Sequence, residues 1–364
     1  MPIENVTPCP ECGVSTQLVE RHFWLNSGVI VVDTDQTLRQ ILVESENLDP
    51  LFEGISEVIG MSVERQVIDV ARRGMRNRVK DMVPQPIKDM ISKRGVDLER
   101  IIMGLTDYML TASQVLGHGK FEHVGHRYEQ DGNDYFTNRV KNPYSLLLCR
   151  ANLAGTIEGM YDTESGVDCE EVAPGVYELT ALFSGHSEDL EKRLKLRSYK
   201  HRDGNIELER CPGCGGPTAL ASFEWLLENG IIRGKANGRR LAMIGPDVLE
   251  AVFDELEAEL GETIPQAVIE AQRRFIKSSS YSIDEISNEE NFRIQLAARG
   301  YGNLRVIHLG KDGMSLSIDN AAAHLMIVGM AQGLFEMAFD VDSNAEWEIS
   351  EERDLEIKVT PRDI

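Results

Sequence analysis

Four cysteines in two matching figures are the residues of this chain best placed to do chemistry: Cys9-Pro10-Glu11-Cys12-Gly13 near the start and Cys211-Pro212-Gly213-Cys214-Gly215 in the second half. Pro after the first Cys presets its own φ, and Gly after the second accepts a positive φ, so each figure suits a tight knuckle that aims backbone N–H groups at two sulfurs. Two thiolates presented in this way are half of a tetrahedral zinc site. Neither half of the chain supplies a second C-x-x-C at zinc-ribbon spacing, which leaves two arrangements open. Cys9, Cys12, Cys211 and Cys214 converge on one shared metal, or each pair is completed separately by a nearby histidine such as His22 or His201. A pair of reduced thiols or a redox couple is the remaining reading. A thioredoxin-like role wants a helix directly after the motif, and no helical pattern follows either copy.

The elements that must hold the knuckles repeat along with them. After the first, Phe23 and Trp24 lead into Gly28 to Val32, a polar turn, and a second β run from Leu38 to Val43, which predicts a hairpin on the knuckle. Apolar residues at helical spacing then predict a helix from Glu46 to a C-cap at Gly60 and another from Val63 to about Met82, before Pro84. The second copy reproduces this order from Asp247 to Gly261, and Arg72-Arg73 recurs as Arg273-Arg274. Later in each half a Gly-x-Gly corner (Gly117 and Gly119; Gly300 and Gly302) precedes strands, and small-residue helices follow around Gly155 and Gly333. The expected fold is α+β with an internal tandem duplication, the repeats being 1–203 and 204–364 with a junction at Tyr199 to Gly204, arranged as a pseudo-dimer.

Composition narrows the function classes. With 60 acidic against 38 basic residues in 364, the net charge is −22. That disfavours a nucleic-acid or anionic-membrane surface. Six cysteines, four of them in the knuckles, fit metal ligands plus two ordinary thiols rather than a disulfide framework, and so a reducing, cytoplasmic setting. No signal-peptide pattern opens the sequence. The longest apolar run, Ala321 to Phe339, contains His324, Gln332 and Glu336 and predicts a closely packed helix rather than a membrane span. There is no nucleophile elbow, Walker loop, dinucleotide fingerprint or H-E-x-x-H helix.

Two segments, about 101–183 and 287–359, resemble the 4-vinyl-reductase-like domain. The matching features are the Gly-x-Gly corner before a strand, Asn142-Pro143-Tyr144 leading into Leu153-Ala154-Gly155-Thr156-Ile157-Glu158-Gly159, and Cys169 before a closing strand. In the second copy the helix reads Met330-Ala331-Gln332-Gly333-Leu334-Phe335-Glu336, and Trp347 stands where the first copy has Cys169. The resemblance implies a mixed α/β unit, dimer formation through a helix face, and an interior pocket for a small apolar or aromatic ligand. The family often carries two cysteines around a Gly in its closing hairpin. Only Cys169 is present here, so metal binding of the phenol-sensor kind is not carried over.

Within the first segment the candidate ligand-binding residues are His118, His123, Tyr144, Cys149, Glu158 and Cys169, because a mainly apolar pocket gains specificity from a few polar groups. The second copy has Tyr301, Val306, Ala322, Ile327, Glu336 and Trp347 at the aligned positions and is expected to be mainly scaffold. His123 and His126, three apart, are expected on opposite faces of their strand, as ordinary strand histidines. Glu158 and Glu336 are expected either as desolvated ligand contacts or as helix charges that reach solvent or a partner across the repeats. The function these residues point to is a zinc-stabilised protein that binds a small hydrophobic molecule or a partner protein as sensor, carrier or assembly subunit, with no catalytic residue assigned. The alternative is an enzyme or enzyme subunit that handles an aromatic or tetrapyrrole substrate with a cofactor supplied by a partner.

Overall fold

The chain folds as a mixture of helices and antiparallel sheets, and the computed structural model describes residues 6–93, 98–185, 194, 196, 200–279, 281 and 288–362. Tyr199 and Ser287, which bound the expected junction and the second segment, lie outside the described residues. Two compact units emerge. One comprises residues 1–6, 64–196 and 226–232; the other comprises 7–63, 197–225 and 233–364. They cross the boundary at 203 and 204 expected from the sequence, because the first knuckle and its strands belong to the same unit as the second.

In the smaller unit, α3 (Glu64–Met82), α4 (Gln85–Ser92) and α5 (Leu98–Val115) precede β4 (Lys120–Arg127), β5 (Tyr135–Lys141), α6 (Leu146–Tyr161), β6 (Glu164–Ala173) and β7 (Val176–Gly185). The strands form an antiparallel sheet in the order β4-β5-β7-β6, with α6 packed against α3 and against the sheet. Leu179, Ala181 and Phe183 of β7 alternate inward, the period-2 signature of a sheet with one buried face.

The larger unit begins with α1 (Thr16–Arg21), β1 (His22–Trp24), β2 (Ile30–Val32), β3 (Arg39–Glu44) and α2 (Leu48–Ile59). Gly60 caps α2 in the left-handed conformation, as its sequence position predicted. The unit continues with β8 (Phe223–Leu226), β9 (Ile231–Gly234), β10 (Arg240–Ile244), α7 (Pro246–Leu260), α8 (Ile264–Ser278) and α9 (Glu289–Ala298). It closes with β11 (Asn303–Gly310), β12 (Gly313–Asp319), α10 (His324–Phe339), β13 (Ser343–Ile349) and β14 (Leu355–Pro361). The predicted two-strand hairpin after each knuckle is a three-strand meander, and the two meanders join into one six-stranded sheet, β1-β2-β3-β10-β9-β8. The join is antiparallel, and Leu42 stands opposite Met243, 201 positions further on. A second sheet runs β11-β12-β14-β13, the same order as in the smaller unit.

Each Gly-x-Gly corner receives a hairpin tip. In the larger unit Gly302 N donates to Gly28 O at 3.1 Å; in the smaller, Gly119 N donates to Gly230 O at 3.0 Å. Gly28 has φ +72°, and a Cβ there would sit 2.2 Å from Gly302 O, so glycine is required by both conformation and space.

The small-residue helices pack backbone to backbone, as their glycines predicted. A Cβ on Gly155 of α6 would lie 2.3 Å from Arg72 O of α3, and one on Gly333 of α10 would lie 2.9 Å from Ile276 Cβ of α8. Gly155→Leu and Gly333→Leu should therefore each destabilise by about 1–3 kcal/mol through overpacking, read by urea denaturation; unchanged midpoints in both variants would mean these faces are not closely packed.

Candidate functional site

The two knuckles are near copies in hydrogen bonding as well as in sequence. Cys9 N donates to Val14 O and Gly13 N to Cys9 O, each at 2.8 Å; Cys211 N donates to Gly216 O at 2.7 Å and Gly215 N to Cys211 O at 2.8 Å. Gly13 and Gly215 have φ +78° and +77°, the left-handed turn that the Gly after each second Cys supplies. Gly213 sits at the meeting point, where a Cβ would come within 2.8 Å of Cys9 Sγ. The knuckle that lacks Glu at this position is the one that lets the other approach.

All four sulfurs of Cys9, Cys12, Cys211 and Cys214 lie within 4.8 Å of one another. Cys9 faces Cys211 at 3.8 Å and Cys12 faces Cys214 at 3.5 Å, each residue opposite its counterpart in the other figure. A tetrahedron with metal–sulfur bonds of about 2.3 Å has sulfur–sulfur edges of about 3.8 Å. The donor set and spacing therefore fit a tetrathiolate metal site. Backbone N–H donation around Cys9, first from Cys12, lowers its thiol to about 7, while burial raises Cys12 and Cys214. Of the two arrangements the sequence left open, the sulfurs adopt the convergent one. His22 instead places Nδ1 2.8 Å from Leu18 O. The expectation that no helix follows the motif is corrected for the first copy, where α1 starts four residues after Cys12.

The remaining predicted residues divide. His118 and Tyr144 stack at 4.2 Å between ring centroids, and the Tyr144 hydroxyl accepts from Asn152 Nδ2 at 3.1 Å. Cys149 is buried in the first turn of α6, and Cys169, on edge strand β6, has its thiol raised by burial. His123 and His126 do not point to opposite faces. A bulge between His123 and Gly125 brings them to one side, with His123 Nε2 3.0 Å from His126 Nδ1 and His126 Nε2 3.1 Å from Glu99.

Glu158 is not a ligand contact in reach of solvent: it is 0% exposed and held by Arg72 at 2.8 Å and Arg76 at 3.0 Å, while accepting from Ser165 N at 3.2 Å. Glu336 repeats the arrangement with Arg273 at 2.5 Å, Lys277 at 2.6 Å and Ser343 N at 3.1 Å. Each carboxylate is satisfied inside its own unit rather than across the repeats. The cationic partners were legible: Arg273 and Lys277 follow Arg72 and Arg76 by the same 201 positions as the rest of the helical repeat.

Among the described residues, two of the cavities that accompany these elements have linings that do not include His118, His123, Tyr144, Cys149, Glu158 or Cys169. The smaller, about 430 Å³, lies in the smaller unit beside Tyr128, Met160 and Tyr161. The larger, about 740 Å³, lies in the larger unit between the six-stranded sheet, α9 and α10. Its lining includes Tyr301 and Ile327, the residues aligned with His118 and Cys149. Val306, Ala322, Glu336 and Trp347, at the other aligned positions, are not among its lining residues. No described helix is long and apolar enough to cross a membrane.

No family model matches the chain, and no curated protein matches it. Several solved H-NOX structures align with part of it. One is a Cs H-NOX mutant with 4-cyano-L-phenylalanine at site 5, at 14% identity over 35% of this chain and 78% of that one, with a TM-score of 0.26. A mutant of T. Tengcongensis H-NOX gives 14% identity over 33% and 75%, with a TM-score of 0.24. An oxygen-binding H-NOX domain related to soluble guanylate cyclases gives 12% identity over 33% and 73%, with a TM-score of 0.23. Likeness at this level carries no argument about fold or function.

Proposed function

We propose that this protein is a tandem-repeat, zinc-stabilised binding protein of the 4-vinyl-reductase-like kind, working in a reducing, cytoplasmic compartment as a sensor, carrier or assembly subunit for a small hydrophobic molecule. The observation that carries the reading is the meeting of Cys9 with Cys211 and Cys12 with Cys214. Zinc is the metal that tetrahedral thiolates at this spacing suit, and it adds no redox chemistry of its own. The antiparallel pairing of Leu42 with Met243 and the facing of each cysteine with its counterpart support the tandem-repeat part, as does the like strand order within each four-stranded sheet. The hairpin tips at Gly28 and Gly230 support an exchanged arrangement, because each docks on the Gly-x-Gly corner of the other repeat. A homodimeric ancestor with one C-P-x-C-G pair per subunit would leave this pseudo-dimer on duplication.

The ligand-binding part rests on the 740 Å³ cavity, a size that suits drug-sized molecules. Phe223, Phe292, Leu296, Met326 and Met330 supply apolar wall, and Glu44, Gln272 and Arg299 supply polar points. Native mass spectrometry of gently purified protein tests the whole reading. It should give the chain mass plus one zinc, with a small organic molecule released on denaturation. A chain of bare mass that takes up neither zinc nor any apolar compound would overturn it.

A further inference from the structure

We infer that His123 and His126 of the smaller unit form a second metal site, one that takes a divalent transition-metal ion favoured by imidazole, such as nickel(II), between His123 Nε2 and His126 Nδ1. The bulge between His123 and Gly125 in β4 brings both rings together, with these two nitrogens 3.0 Å apart. Each ring's other nitrogen meets an acceptor: His123 Nδ1 lies 3.4 Å from Asn138 Oδ1 on β5, and His126 Nε2 lies 3.1 Å from Glu99 Oε2 on α5. Those oxygens are satisfied only when the outer nitrogen carries the hydrogen, and a neutral imidazole carries one hydrogen on nitrogen. With both outer nitrogens protonated, the two inner nitrogens turn lone pairs toward each other. A cation has to stand between them, and either a proton or a metal ion can fill that place.

The spacing suits the metal. Two nitrogens bound to one ion at about 2.0–2.1 Å stand about 2.9 Å apart at a right angle and about 3.3 Å apart at the tetrahedral angle. The outer contacts are those of ligating histidines, whose second N–H goes to a carboxylate or carbonyl and fixes the tautomer. Phe136, buried on β5, packs against both rings, with its centroid 4.7 Å from that of His123 and 5.7 Å from that of His126. The imidazoles are thus oriented before any ion arrives, which lowers the ordering cost of binding. The second copy has a bulge at the same point, between Leu304 and Val306, but carries Val306 and Leu309 where the first has the two histidines. The site therefore belongs to the first copy alone. Two imidazoles leave the ion's other positions to water and hold it more weakly than four thiolates hold zinc. A first equivalent of zinc goes to the sulfurs, and the imidazole pair fills only with added metal.

Calorimetric titration of the untagged full chain, already carrying one equivalent of zinc, with nickel(II) tests the site. Saturable uptake of about one nickel per chain is expected, and absorption at the nickel edge should show imidazole nitrogen and no sulfur. His123→Gln and His126→Gln should each weaken uptake about tenfold or more, and Glu99→Ala should weaken it about tenfold by removing the acceptor behind His126. Glu99 is 74% exposed, so its replacement leaves the fold in place. If either histidine variant loses its native circular dichroism, Glu99→Ala decides the matter, and wild-type affinity in that variant would overturn the site. Absence of uptake beyond the zinc in the wild-type chain would mean that the pair holds a proton only, and would overturn it too. So would wild-type affinity in both histidine variants, or a nickel shell that contains sulfur.

Discussion

Replacing Cys12 or Cys214 with Ser should remove nearly all bound zinc in either case, although the two residues lie 202 positions apart. Each belongs to the same tetrathiolate set, and a site with three thiolates and a hydroxyl holds zinc far more weakly. Loss of only half the metal from each variant would instead establish two independent sites. The effect on stability should be large. Structural zinc contributes folding free energy on the order of 10 kcal/mol in small domains, and here it would hold the two ends of one six-stranded sheet. Chelation should therefore lower the thermal midpoint of the larger unit far more than that of the smaller, whose residues contribute no sulfur to the cluster.

The second large effect is expected at Glu158. Removing this carboxylate by Glu158→Ala leaves Arg76, 1% exposed, and Arg72, 15% exposed, without the anion between them. Breaking a buried ion pair by deleting one partner costs about 3–5 kcal/mol. Glu336→Ala should cost less, because Lys277 is 38% exposed and can turn its ammonium toward water. Denaturant titration of the two variants should place Glu158→Ala well below Glu336→Ala. Equal losses, or a loss under about 1 kcal/mol at Glu158, would show that the buried cluster is not balanced as described. Glu158→Gln with Arg76→Met should recover part of the loss by removing a charge along with its partner.

What the sequence made legible was what depends on short-range chemistry. The left-handed glycines after Cys12 and Cys214, the Gly60 cap, the bounds of α2 and α3, and the close packing at Gly155 and Gly333 follow from local conformation and spacing. The convergence of the four cysteines was legible only as one of two arrangements, because spacing along the chain does not say which loops meet. The interleaving of the units was not legible at all. It depends on β3 pairing with the distant β10 as well as with its neighbour β2, a long-range choice that local pattern does not encode.

The misplacement of His123 and His126 has a smaller cause. The strict alternation of a strand puts residues three apart on opposite faces, and one inserted residue near Gly125 reverses that. Gly125 was the available signal, since glycine inside a strand often marks a bulge. The cavity of the larger unit was not legible, because its wall joins Glu44 and Asn47 to Arg239 and Arg299, which are far apart along the chain. Such walls are assembled from distant positions and leave no contiguous pattern.

X-ray absorption at the zinc edge of the wild-type protein is the sharpest test of whether the two C-P-x-C-G knuckles complete one metal site. One zinc environment of four sulfurs at about 2.3 Å with no nitrogen neighbour, and about one zinc per chain, is expected. A mixed shell of sulfur and imidazole nitrogen, with two metals per chain, would contradict it.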